Sequence, residues 1–165
     1  ALKPQRLIKP NHDEARIFFE LYEKIYETEF TPLKKREIMT HVLGHEPWSF
    51  RVTAISREAC IKIAQNNFRK PPRKLARDHK RPRSKTFNNI FERKWDFKEW
   101  WDYVWEGDQT VLVTREENTS GSRRTGDIPL DWEDGLFPDK GIGWKHRVKF
   151  EGKKVREICI KFNLV

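Results

Sequence analysis

Cysteine is scarce in this 165-residue chain: Cys60 and Cys159 are the only two, far apart and without a CxxC pair. Four thiolates cannot be gathered, so a four-cysteine zinc staple is excluded, and two buried thiols is the plain reading. Long apolar runs are missing as well. No stretch approaches the ~18 residues of a membrane-spanning helix. The opening Ala-Leu-Lys-Pro-Gln-Arg lacks the apolar run of a secretory leader, which points to a cytoplasmic protein. Acidic residues are outnumbered: 25 Asp and Glu against 34 Lys and Arg give a formal charge of +9. Such a surplus attracts polyanions, either nucleic acid or an anionic membrane face, and says little about fold. Neither an internal repeat nor a low-complexity tract is present.

Aromatics are plentiful. Hydrophobic residues make up only 36% of the chain, but seven Trp and eleven Phe supply large buried areas, enough for a real core. The length suits a single domain over 1–165. Residues 1–11 read as a basic, Pro-punctuated arm. From Asp13, apolar Phe18, Leu21, Tyr22 and Ile25 follow a helical period. Thr31-Pro32 is a capped helix start, and that helix stops at Gly44. Trp48 to Ile55 alternates like a strand. A third helix runs from Ser56 to about Asn67, and Pro71-Pro72 ends this helical N-terminal part, residues 1–70. Within 71–129, Lys74 to Asp78 is strand-like, Asp96 to Trp105 a short aromatic helix, Thr110 to Val113 a buried strand, and Thr114 caps a further helix. Over 130–165 a loop leads to two alternating runs, Trp144 to Phe150 and Lys154 to Phe162, joined by Glu151-Gly152-Lys153, the pattern of a C-terminal β-hairpin. The expected class is α+β.

The chemistry-bearing signal is Arg77-Asp78-His79-Lys80-Arg81-Pro82-Arg83-Ser84. Residues 69–85 hold nine Lys or Arg, and Asp78 alone breaks the sign. A carboxylate in such a run is ionised and well placed to hold a divalent cation. The neighbouring imidazole is biased towards its neutral, proton-accepting form by the positive surroundings. The second half is Gln109 to Asn118: an apolar strand, a Thr cap, and a helix carrying an amide.

Asp-His-x-x-Pro-x-Ser followed by strand-Thr-x-x-x-Asn resembles the motif of the HNH (ββα-metal) endonucleases. It is most similar to the HNH domain of CRISPR RNA-guided nucleases and to related restriction and phage enzymes. The resemblance covers residues 74–129, about a third of the chain. It implies a ββα-metal core, with His79 as general base and with Asp78 and Asn118 as ligands of one Mg²⁺ or Mn²⁺. It also implies hydrolysis of phosphodiester bonds in DNA, RNA remaining open. Three departures stand out. Gln109 replaces the usual Asn at the start of the second strand. Gly121 stands where a basic residue is usual, with Arg123 and Arg124 close by. The His79-to-Asn118 spacing is longer by about the aromatic helix, which a loop tolerates because only its ends must meet.

Arg73, Lys74, Arg77, Lys80, Arg81, Arg83, Lys85, Arg123 and Arg124 are the expected contacts to the nucleic-acid backbone, which position substrate without reading sequence. His41 and His45 fall at i, i+4, a metal-capable spacing, with no evident third ligand. Trp100, Trp101 and their neighbours suit a core better than base stacking. The same charge and aromatics would serve a non-catalytic nucleic-acid-binding module, which is the rival reading. No interface signature is visible, so oligomeric state, a dimer included, stays open.

Overall fold

The computed structural model describes residues 7–69, 74–120, 124–136 and 150–165. Along the chain they form α1 (His12–Glu27), α2 (Pro32–Gly44), a 3₁₀ turn (Pro47–Phe50), β1 (Val52–Ile55) and α3 (Arg57–Gln65). There follow β2 (Leu75–His79), α4 (Arg83–Asn89), α5 (Phe97–Gly107), β3 (Thr110–Thr114), α6 (Arg115–Ser120), β4 (Ile128–Pro129), a second 3₁₀ turn (Trp132–Asp134) and α7 (Phe150–Lys161). The class is α+β, as expected.

Helix starts are set by local chemistry. Asn11 and Glu14 form a reciprocal capping box on α1. The side chains of Thr31, Ser56 and Asp96 each accept the free N–H three residues on, opening α2, α3 and α5. Each such cap is worth about 1 kcal/mol. At α6 the Thr114 hydroxyl accepts from Glu117 N–H, and the Glu117 carboxylate accepts from Thr114 N–H at 2.8 Å, a second capping box.

The strands form one sheet in the order β2-β3-β1-β4. β3 is antiparallel to β2 and parallel to β1, and β4 closes antiparallel on β1. Leu75 faces Thr114, Arg77 faces Leu112 and His79 faces Thr110. Side chains alternate across a strand. Leu75, Arg77 and His79 therefore share one face of the sheet with Leu112, while Ala76 and Asp78 share the other with Val111 and Val113.

Two large hydrophobic clusters hold the described residues together, with a small third one of Ala54, Ala76, Val111 and Val113 on the Asp78 face of the sheet. One joins Val52, Ile55, Leu75 and Leu112 of the sheet to Cys60 and Ile63 of α3 and to Val155, Ile158 and Cys159 of α7. The other is mostly aromatic and joins α1, α2, α4 and α5 through Phe19, Tyr22, Met39, Leu43, Phe87, Trp100 and Trp101. Both cysteines are buried and unbridged. The Trp-rich helix is core, with Trp100 fully buried.

The expected C-terminal hairpin is corrected. Residues 144–149 lie outside the described residues, and Lys154 to Phe162, expected as a strand, belongs mostly to α7. Val155, Ile158, Cys159 and Phe162 recur at i, i+3, i+4, i+7, and the first three are buried, whereas Ile160, which strand alternation would bury with Ile158, is 66% exposed. Gly152 is no turn residue: a Cβ there would lie 2.5 Å from the Phe68 carbonyl oxygen, so the glycine lets α7 approach the chain after α3. Two smaller differences concern the strand expected over 48–55, whose first half is the 3₁₀ turn, and α4, which the dense charge around Arg83 concealed.

Candidate functional site

β2 runs antiparallel to β3, and β3 leads directly into α6, which packs against both strands. β2, β3 and α6 are thus in contact, with α4 and α5 inserted between the two strands. Asp78 and His79 are the last two residues of β2. Both are paired with β3, Asp78 opposite Val111 and His79 opposite Thr110, so their side chains leave the strand on opposite faces.

His79 is enclosed. Its ring meets Phe50 edge-on, with centroids 4.9 Å apart and planes at 72°. The Ser49 carbonyl accepts a hydrogen bond from the ring, and Nε2 is buried with no hydrogen-bond partner among the described residues. Burial first, and then the Arg83 charge, push the imidazole down to about 4, so it is neutral at pH 7. A neutral ring, fixed at one nitrogen and bare at the other, is a proton acceptor in waiting.

Asp78 lies on the other face, on a cation. Arg124 Nη1 donates to its carboxylate at 2.8 Å, and Arg124 Nε stands 3.5 Å from Asp127. Two carboxylates therefore converge on one positive charge. Asn118 is exposed on α6. Among the described residues no hydrogen bond or ion pair joins it to Asp78 or His79.

Among the described residues no three His, Cys, Asp or Glu side chains gather to hold a metal. Asp78 fits a hard cation, since a guanidinium already stands against it, and Asp127 is a second oxygen donor beside that charge. Asp127 lies in the Gly126-Asp127-Ile128-Pro129 stretch at the end of the resemblance, where its carboxylate was the available signal. Asn118 is not drawn into this group.

Gln109, the departure at the start of β3, ties the end of β2 to β3. Its side-chain oxygen accepts from Lys80 Nζ at 2.8 Å and its backbone oxygen accepts from Lys80 N–H, so the residue after His79 is held twice.

The basic run divides by use. Arg77 is buried and donates to the Phe50 carbonyl. Arg81 stacks 3.8 Å over the Tyr103 ring and donates to the Tyr103 carbonyl. Arg83 donates to Ser49 Oγ and pairs with Asp108 at 3.6 Å. Lys74, Lys80 and Lys85 remain exposed. Arg73 and Arg123 lie outside the described residues.

Asp108 was missed in the sequence, where it looks like an ordinary residue after a helix. It is fully buried, accepts from Ser49 Oγ at 2.9 Å, and is raised to about 6 by that burial, against the pull of Arg83. Ser49 thus links a buried acid to His79: its hydroxyl donates to Asp108 and its carbonyl holds the imidazole.

Comparison with protein-family models, with curated proteins and with solved structures returns no match.

Proposed function

We propose that this protein is a metal-dependent endonuclease of the HNH kind, hydrolysing phosphodiester bonds in DNA. The observation that carries the reading is the antiparallel β2–β3 pair running into the Thr114-capped α6, with Asp78 and a neutral His79 at the end of its first strand. His79 would accept the proton of the attacking water at Nε2, its ring oriented by the Ser49 carbonyl. Asp78 would hold Mg²⁺ or Mn²⁺, with Asn118 as the second ligand that the motif assigns. Such an ion, when bound, neutralises charge developing on the phosphate and the leaving oxygen. Lys74, Lys80 and Lys85 would hold the nucleic-acid backbone.

The reading carries a structural requirement. Asp78 and His79 diverge across the sheet, so the end of β2 must turn one of them when substrate binds, and Asp78 must leave Arg124. A rigid strand end would favour the second reading, a basic nucleic-acid-binding module without catalysis. The Asp78–Arg124 pair and the buried Nε2 of His79 are the observations on its side.

Incubation of supercoiled plasmid with Mg²⁺, Mn²⁺ or EDTA separates the two. Nicking that EDTA abolishes supports the endonuclease. Retardation on a gel without cleavage of plasmid, branched DNA or RNA supports the binding module.

A further inference from the structure

The 3₁₀ turn Pro47–Phe50 is surrounded by more positive charge than its neighbours balance. Arg51, 2% exposed, donates to the Trp48 and Trp105 carbonyls and lies 3.6 Å over the Trp105 ring. Arg83 donates to Ser49 Oγ from Nη2, and its guanidinium lies 4.7 Å over the Phe50 ring. The buried Asp108 carboxylate faces Arg83, Arg51 and Arg81 together, and the exposed Glu106 adds a weaker pull on Arg51. One buried acid therefore answers three guanidinia among the described residues. Enclosed charge without a full counter-charge is costly, so an anion from outside is favoured wherever it can reach one.

Arg83 is within reach. It borders an open cleft of about 690 Å³ where α2 packs on α4, and Arg36, Glu37, Thr40, Phe50 and Ser84 share that lining. Gly44 lies there as well: a Cβ would stand 3.3 Å from Arg83 Nη1, so the glycine leaves room for the guanidinium. Nη1 has no hydrogen-bond partner among the described residues. Arg36, one turn before Thr40 on the same face of α2, uses only Nη1, donating to Asn88 at 3.3 Å. The Thr40 and Ser84 hydroxyls have no partner among the described residues. Four side chains thus bring free donors to one cleft, and Glu37 is the single acid on its lining. His41 and His45, at the end of α2, hydrogen-bond each other at 3.2 Å.

We infer that the α2–α4 cleft is a phosphate-binding site, in which Arg36 and Arg83 hold one phosphate group of a single nucleic-acid strand and the Thr40 and Ser84 hydroxyls donate to it. Planar guanidinium forks match the paired oxygens of a phosphate. A cleft of this volume is of small-ligand size and admits one nucleotide unit, not a duplex. Phe50 lines the cleft and its ring meets His79, so a strand held here passes on the His79 side of the sheet. The anion site stands on its own geometry; that a nucleic acid supplies the phosphate rests on the functional reading above. It gives α2, which lies outside the resemblance, a part in binding.

The test is fluorescence anisotropy of a labelled single-stranded DNA oligonucleotide with the full chain in EDTA, where no metal-dependent cleavage takes place. Arg36→Gln should weaken binding about tenfold. Lys34→Gln, which removes an exposed α2 cation that does not line the cleft, should change it by less than about twofold. Glu37→Gln should tighten binding about two- to threefold, a gain that damage to the fold does not give. A 5′-phosphorylated oligonucleotide that binds no better than an unphosphorylated one assigns the cleft to an internal phosphodiester; one that binds more tightly assigns it to a strand end. No binding by the parent, equal losses in Arg36→Gln and Lys34→Gln, or no gain in Glu37→Gln would overturn the site. The expected pattern of binding with no cleavage on adding Mg²⁺ or Mn²⁺ would instead remove the endonuclease and leave the site.

Discussion

Arg124 donates to Asp78 at 2.8 Å while lying 3.5 Å from Asp127, so one guanidinium occupies the position that a metal ion would need. The arginine holds the two carboxylates in place and competes with any ion for them. Arg124→Gln should therefore raise the affinity of the Asp78 carboxylate for Mn²⁺. A half-exposed pair of this kind is worth about 1 kcal/mol, so a gain of about fivefold is expected. Calorimetric titration in the Asp78→Asn background, where the gain should vanish, checks that the ion binds at this carboxylate.

His79 gives the fold an acid-sensitive element. Its folded value is about 4, below the ordinary imidazole value of 6.5, because burial and Arg83 disfavour the cation. The unfolded chain therefore takes up the proton first as pH falls. Stability from this residue is complete above 6.5 and declines down to about 4. Between pH 7 and 5 the loss is on the order of 2 kcal/mol. Asp108 acts in the opposite sense: its folded value, near 6, exceeds the ordinary 3.8, so its contribution weakens as pH rises through 6. Urea unfolding of the parent and of His79→Gln at pH 7 and 5 should show the variant losing less stability on acidification. Equal losses would mean that His79 is not buried neutral.

The Ser49–Asp108–Arg83 group is a structural clamp beneath His79. Asp108→Ala leaves the Arg83 charge half-enclosed without its partner and should cost about 3 kcal/mol or more. Asp108→Asn, which keeps the shape and an acceptor for Ser49, should cost less. Thermal unfolding of the two variants side by side tests this ordering.

α7 is checked by two neighbouring isoleucines. Ile158→Ala empties part of the sheet-side core and should cost about 2–5 kcal/mol, while Ile160→Ala, on the exposed side, should stay within about 0.5 kcal/mol. Comparable losses at both positions would argue for a strand.

Much of the fold is legible in the sequence because local rules and tertiary packing agree there. Thr31-Pro32, Ser56 and Thr114 announce helices that the structure contains, and the apolar run Thr110 to Val113 is the buried strand at the middle of the sheet. The C-terminal helix was hidden because Lys154 to Phe162 carries both periods at once. Only burial of Val155 and Cys159 against α3 decides between them. α4 was hidden for another reason. Its arginine reaches inward to Ser49 and Phe50, and a charged residue that packs looks in sequence like one that is solvated.

The candidate site was legible as chemistry and not as geometry. Asp78 and His79 stand out by residue type. That they leave on opposite faces follows from His79 still lying in β2, paired with Thr110, where the sequence pattern ended the strand at Asp78. Of the partners that fix them, Ser49 comes from a segment with no motif of its own, and Arg124, expected on the nucleic-acid backbone, lies on Asp78 instead.

The central claim is that His79 is the base of a metal-dependent nuclease. It is tested most directly by supercoiled-plasmid cleavage in Mn²⁺ with the parent and His79→Ala, duplex binding being measured in parallel. Nicking by the parent is expected and, for the variant, a rate lower by about 10² or more with DNA affinity nearly unchanged. Equal cleavage by both proteins, or none by either while both bind DNA, would contradict it.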